Sequence, residues 1–204
     1  MQRIFLLRHG EIQGAGTGKR FIGHTDIPLS DVGCHQAQGW RHWFGDFPRL
    51  HIIASDLARC QETVRIIAAD RSWSLETSGG FKEIYLGQWD GLSFRQVKER
   101  WPEAFQQRGE DLAGFRPPGG ESFLDLQRRV IPVFEKAVKE VRSPLLIVAH
   151  AGVNRIILGH ILGMPLGNLF RIPQDYGALN LIERHAGEYR LQLLNQLPGS
   201  AMAS

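Results

Sequence analysis

Residues 4–10 read IFLLRHG: four apolar side chains, Ile4 to Leu7, run directly into Arg8, His9 and Gly10. Residues 145–150 read LLIVAH, and Ala151 and Gly152 follow. Both runs have the length of a strand and are apolar on both faces. A parallel strand buried between two helix layers has this pattern. Each ends on a histidine. A third run of the same kind, HIIA at 51–54, ends at Ser55.

Working outward, further strands are expected at Ala178–Glu183 and Tyr189–Leu194, with a weaker one at Leu75–Thr77. Between them lie helical stretches with readable ends. Ser30 is placed to cap a helix that turns Ala37, Trp40 and Phe44 inward, and Ser55 to cap one carrying Leu57, Cys60, Val64 and Ile67. Ser93 and Gln96 form a capping box, with Leu92 and Val97 spaced for a hydrophobic staple. From Ser122 to Val141 the spacing puts Leu126, Val130, Val133, Phe134, Ala137 and Val141 on one face, and Pro132 should kink or split that helix. Gly163 and Pro165 close a helix running from about Gly152 to Leu162. Alternating strands and helices predict a three-layer α/β/α sandwich around a mainly parallel central sheet.

The chain of 204 residues is expected to form a single domain over 1–204, with a disordered tail from about 197 to 204. A net charge of +3, with its basic residues scattered, suits a small anionic ligand and not nucleic acid. Cys34 and Cys60 form no CxxC pair, which argues for a reducing compartment without a zinc knuckle. No apolar run has membrane-spanning length, and Ile4–Leu7 is too short for a signal-peptide core. A cytoplasmic location without membrane contact is therefore expected. Nothing in the sequence bears on oligomeric state.

In an open parallel sheet, ligands bind in the crevice beyond the carboxyl ends of the strands. Arg8 and His9 leave one such end, His150 leaves another, and Ser55 to Arg59 follow a third. Gly10 and Gly152 should let the backbone turn and approach a ligand closely. The helix after His150 should aim free N–H groups into the same space, which favours an anion.

The segments LLRHG, SDLARCQET, FKEIYLGQWDGL, PPGGES and VAHAGV, in this order, resemble the histidine phosphatase superfamily with its phosphoglycerate mutase-like fold. The resemblance runs from about residue 3 to residue 185. Within it, FIGHTDIPLS and LGMPLGNLFRIPQDYGALNLIE look most like the bacterial α-ribazole phosphatase branch, which dephosphorylates α-ribazole 5′-phosphate in cobalamin nucleotide-loop assembly. The resemblance implies that His9 is the nucleophile that becomes a phosphohistidine, and that Arg8, Arg59 and His150 hold the transferring phosphoryl group. It implies that Glu83 gives the leaving group its proton, for which it must hold a proton near neutral pH. Gly23 would present its backbone to phosphate or substrate. The implied substrate is a small phosphorylated metabolite, with no cofactor and no metal. Many relatives carry a threonine and then an asparagine after RHG. Here these positions are Ile12 and Ala15, and Arg20 or Lys19 could supply the missing phosphate contact.

Taken singly, Arg8 reads as a surface ion pair, His150 as a core histidine, Glu83 as a loop acid and Arg59 as a stem covering apolar surface. Those readings do not predict all four in order at strand ends. His35, His42, His51, His160 and His185 keep structural readings. His24 stays open, and Trp89 could wall the pocket. Two other functions remain in play: a cofactor-dependent phosphoglycerate mutase and a non-catalytic phospho-ligand module. The short path from Trp89 to PPGGES favours hydrolysis over the mutase. His9, His150 and Glu83 form no HxH or HxxxH zinc spacing, and neighbouring arginines would repel a cation.

Overall fold

The computed structural model describes residues 1–199, apart from the side chain of Thr17. In chain order, strand β1 (Gln2–Arg8) leads to helix α1 (Asp31–Phe44), β2 (His51–Ala54), α2 (Ala58–Ala68) and β3 (Ser74–Thr77). Two short helices, α3 (Phe94–Arg100) and α4 (Pro102–Glu110), precede the long α5 (Phe123–Glu140). Then come β4 (Leu145–Ala149), α6 (Ala151–Ile161), β5 (Leu179–His185) and β6 (Glu188–Gln196). They form one six-stranded sheet in the order β3-β2-β4-β1-β5-β6. β3, β2, β4 and β1 run parallel, and β5 pairs antiparallel with both β1 and β6.

The doubly apolar strands are doubly buried. Phe5, Leu7, Ile52, Ala54, Leu146 and Val148 pack on one face with Ala37, Trp40 and Phe44 of α1 and Cys60, Val64 and Ile67 of α2. Their neighbours Ile4, Leu6, Ile53, Leu145, Ile147 and Ala149 pack on the other face with α5 and α6. The strand period of two thus sorts one run of residues into two cores, giving the expected three-layer sandwich. Among the described residues no helix is long and apolar enough to cross a membrane.

The expected strands and caps are present, with three corrections. Ser55 does not cap α2. That helix starts at Ala58, whose N–H donates to Asp26 Oδ1 at 2.9 Å, so an aspartate from a distant loop does the capping. α5 runs through Pro132 unsplit, because Leu126 and Val130 before it and Phe134, Ala137 and Val138 after it are buried in one core. That shared burial outweighs the backbone bond the proline removes. α4 was not expected, although Pro102 at its first turn is a start signal. Of the expected tail, residues 200–204 lie outside the described residues, while Pro198 lies against Gly39 of α1.

Candidate active site

β1 and β4 are neighbours at the point where the chain's path reverses across the sheet. From β1 it leaves through α1 towards β2, and from β4 through α6 towards β5. Arg8 pairs with Ala149 in the last register of the two strands, so the next residues, His9 and His150, emerge side by side. Their ring centroids are 5.1 Å apart. The His9 N–H donates to the Ala149 carbonyl at 3.0 Å, which fixes the start of the turn.

Arg59, in the first turn of α2 and only 1% exposed, lies between the two imidazoles. Its Nε–H is shared by His9 Nε2 at 3.2 Å and His150 Nδ1 at 3.3 Å. A guanidinium only donates, so both of those ring nitrogens are acceptors. The remaining protons follow. His9 Nδ1–H donates to the Gly10 carbonyl at 2.8 Å, and His150 Nε2–H donates to Ser55 Oγ at 2.9 Å. Burial first, then the charges of Arg59 and Arg8, hold the pKa of His9 well below the ordinary imidazole value. Burial, Arg59, His9 and Arg8 do the same for His150. His9 therefore presents a neutral ring with an unprotonated Nε2.

The terminal nitrogens of Arg59 donate to the Thr25 and Gly23 carbonyls at 2.9 and 2.7 Å. Asp90 holds that loop from the other side. Its carboxylate accepts the N–H groups of Gly23, His24 and Thr25 at 2.8, 2.8 and 2.9 Å. Gly23 thus has both backbone groups engaged inside the protein, and its N–H does not face the crevice as expected. Its requirement for glycine is close approach: a Cβ there would come 2.5 Å from the Ile84 carbonyl. Asp90→Ala would leave three loop amides without their acceptor. It should lower stability by about 2–3 kcal/mol, measured by denaturant unfolding. Unchanged stability would show that water replaces the carboxylate at no cost.

Glu83 is buried, and its carboxylate accepts the Ile84 N–H at 2.9 Å and the Gly152 N–H at 3.0 Å. Gly152 lies in the first turn of α6, so the acid rests on the positive end of a helix. A Cβ at Gly152 would sit 2.3 Å from Glu83 Oε1. The glycine is there for the carboxylate, not for a ligand. Gly10 similarly accommodates α1, where a Cβ would meet the Gly33 carbonyl at 2.5 Å. Arg8 completes the rim. It donates to the Gln174 carbonyl at 2.6 Å, and its guanidinium lies 3.6 Å from the centre of the Tyr176 ring.

Several participants escaped sequence reading. Tyr176 stacks on Arg8 and has its ring 5.6 Å from that of His9. Ser55 holds His150. Gln174 belongs to a buried amide cluster in which Asn154 donates to Gln174 Oε1 at 3.1 Å and Gln174 to Asn180 Oδ1 at 2.9 Å. Asp90 sits in the quoted segment GQWDG, but nothing in the spacing shows that it gathers three amides. Trp89 does not wall the pocket: it is fully buried behind the wall, against Phe21 and Phe115. His24 Nε2 is 2.8 Å from the Glu83 carbonyl, beside the acid and outside the imidazole pair. His35, His42, His51 and His160 bond to other partners.

Beyond Arg8 and Glu83 opens a cavity of about 210 Å³. Phe21, Phe94, Phe115, Phe123 and Phe170 contribute an apolar wall, and Arg20 lies on its rim, donating to the Gly91 carbonyl at 3.3 Å. Ile12 is buried against Leu29, and Ala15 lines a second cavity that shares Arg20 and Tyr176 with the first. Among the described residues no group of three His, Cys, Asp or Glu is placed to hold a metal ion.

A sheet that presents two neutral imidazoles and two arginines at its topological switch point, with a carboxylate on a helix N-terminus beside them, has the chemistry of an enzyme site for a small oxyanion. Comparison with known proteins narrows this class. Residues 4–197 match the family model for the histidine phosphatase superfamily (branch 1), and the chain belongs to that superfamily. It is 27% identical over 195 residues to the adenosylcobalamin/alpha-ribazole phosphatase of Escherichia coli K12, covering 95% of each chain. It is 31% identical over 179 residues to the glucosyl-3-phosphoglycerate phosphatase of Mycolicibacterium vanbaalenii, covering 82% of this chain and 77% of that one. Among solved structures, the alpha-ribazole phosphatase of Shigella flexneri superposes with a TM-score of 0.88 at 27% identity, covering 96% of both chains. A mycobacterial glucosyl-3-phosphoglycerate phosphatase complexed with VO3 superposes with a TM-score of 0.84 at 27% identity, covering 96% of this chain and 99% of the other.

Proposed function

We propose that the protein is a metal-independent phosphomonoesterase working through a phosphohistidine on His9. The observation that carries this reading is the state of His9. Its Nδ1–H is tied to its neighbour's carbonyl, its ring is held neutral, and its free Nε2 sits beside the Arg59 Nε–H. An incoming phosphoryl oxygen takes over that N–H, leaving the Nε2 lone pair to attack phosphorus in line. Arg8 and Arg59, planar and permanently cationic, hold the equatorial oxygens, whose spread charge suits such donors; His150 joins them as a donor once the bound anion draws a proton onto its Nδ1. The P–O bond to the leaving group breaks as the P–N bond forms, and Glu83 delivers a proton to the departing oxygen. Water then attacks the phosphohistidine and gives a proton to Glu83 as the P–N bond breaks and phosphate leaves, splitting one displacement into two. Gly23 positions Arg59 through its carbonyl, and Arg20 is a rim contact for the substrate.

The substrate proposed first is α-ribazole 5′-phosphate, in cobalamin nucleotide-loop assembly in the cytoplasm. The names of the relatives above and the apolar, phenylalanine-rich wall support it, and the free thiols of Cys34 and Cys60 accord with a reducing compartment. An acid-bearing phosphate ester is the second reading, favoured by the arginines described below. A mutase is disfavoured because only α3, α4 and short turns separate Trp89 from Gly120. A binding module is disfavoured because all five matched side chains converge.

The test is turnover of a phosphomonoester panel, including α-ribazole phosphate and phosphoglycerates, in excess EDTA. Activity should survive chelation. Glu83→Gln should slow alkyl esters roughly 10²–10⁴-fold, and activated aryl esters much less. Activity lost in EDTA and restored by a divalent metal would overturn the mechanism.

A further inference from the structure

The charges lining the cavity do not balance. Of its two carboxylates, Glu83 is held by two backbone amides, and Glu121 is paired with Arg129 at 2.8 Å. On the same lining stand Arg108 from α4 and Arg155 from α6. Both are half-buried, and among the described residues neither has a carboxylate within ion-pair distance. Arg155 gives its Nε–H to the Ile172 carbonyl at 2.9 Å, and its side chain lines the cavity. The two guanidiniums share one aromatic surface. Their carbons lie 5.7 Å (Arg108) and 5.0 Å (Arg155) from the centre of the Phe170 ring.

Stacking on Phe170 orients both groups without neutralising either. Burial lowers the pKa of each guanidinium, and for Arg108 no neighbouring charge opposes it. A pair of partly desolvated cations facing one cavity calls for a counter-charge; Glu83 and Asp175 act on Arg155 from a distance, but among the described residues no carboxylate reaches ion-pair contact with either arginine. The position of the pair relative to the reaction is set by α6. Arg155 follows Gly152 by three residues and shares its face, so it stands about 4.5 Å further along the helix axis from the amide that holds Glu83. Arg8 lines the same cavity at the end where His9 and Arg59 stand, so a substrate with its phosphoryl group on His9 can reach Arg155 with its leaving group.

We infer that Arg108 and Arg155 form a second anion subsite, which takes a carboxylate or phosphate carried by the leaving group a few bonds from the ester oxygen. The inference rests on the phosphomonoesterase reading and goes beyond it by naming the chemistry of the substrate. A wholly neutral leaving group, such as that of α-ribazole 5′-phosphate, would fill the apolar wall and leave both arginines unmatched, so the subsite favours the acid-bearing ester of the two substrate readings above. α4 has a purpose in this scheme. It packs on α3 and brings one of the two cations to the cavity wall.

The test is a matched series of propyl phosphate, 3-(phosphonooxy)propanoate and propane-1,3-diyl bisphosphate. Wild-type kcat/KM should be on the order of tenfold or more higher for one of the charged esters, mainly through KM. Which one is preferred separates a carboxylate from a phosphate site. In Arg108→Met and Arg155→Met, which keep an apolar stem against Phe170, the charged-to-neutral ratio should fall towards one, whatever the absolute rates. Equal wild-type kcat/KM across the series, or variants that retain the ratio, would overturn the subsite. Binding of propylphosphonate and 3-phosphonopropanoate by calorimetry reads the same ratio without turnover. A preserved binding preference in a protein that hydrolyses none of the esters would sink the phosphatase reading and leave the subsite standing.

Discussion

His9→Ala should abolish turnover, with a loss of roughly 10⁴-fold or more, because it removes the nucleophile and not one of several donors. The direct readout is the covalent intermediate. Quenching the wild-type enzyme during turnover of a ³²P-labelled ester, with denaturant in place of acid, should leave label on one histidine. The bond should be acid-labile and alkali-stable, as a phosphoramidate is. The label should be absent in His9→Ala. His150→Ala should slow labelling without moving it, since His150 faces Arg59 through Nδ1 and is tethered to Ser55 through Nε2. The lifetime of the phosphoenzyme separates hydrolase from mutase. Water must reach it in a hydrolase, so it should decay once substrate is exhausted. A phosphoenzyme that persists until a phosphoglycerate discharges it would defeat the hydrolase reading and leave His9 in place. Label elsewhere in an active enzyme would defeat the mechanism.

Arg59→Lys should cost on the order of 10³ in kcat/KM although it keeps the positive charge. Arg59 serves four partners with one rigid plane: two imidazoles through Nε, and the Thr25 and Gly23 carbonyls through its terminal nitrogens. An ammonium on a flexible stem cannot meet all four. The buried Gly23 carbonyl would lose a charged donor, so stability should also fall by about 1–3 kcal/mol. Steady-state kinetics and thermal unfolding on the same preparation separate the two effects. A folded Arg59→Lys enzyme within tenfold of wild type would show that charge alone suffices. Arg59 would then not be the element that organises the site.

Much of this site could be read before the structure was known, for a physical reason. The residues of β1, β2 and β4 are buried on both faces, so these strands appear as continuous apolar runs, and their carboxyl ends are visible wherever the runs stop. In a parallel sheet those ends lie on one rim. The order of runs and endings therefore brings Arg8, His9 and His150 together without knowledge of strand order. Capping residues acting within three positions of themselves were equally legible: Ser30, and Ser93 with Gln96, hold in the structure. The short helix α4 was not, because its apolar residues are few and none is buried.

What acts across the chain could not be read. Ser55 looked like a cap because a serine before a helix usually is one, yet its hydroxyl meets His150, 95 residues away, and Asp26 caps α2 instead. Gly23 looked like a ligand contact, but its amide is taken by Asp90 and its carbonyl by Arg59. Gly152 was expected to admit a ligand and instead admits the Glu83 carboxylate. The sequence by itself determined the layer architecture, the strand ends that carry chemistry and the residues that leave them, since these depend on periodicity and local bonding. Only the tertiary structure decided which nitrogen of His9 is free, what holds Arg59 in its plane, and that Arg108 and Arg155 face one cavity. Those depend on hydrogen bonds and charges between segments far apart in the chain, and no local pattern records such pairings.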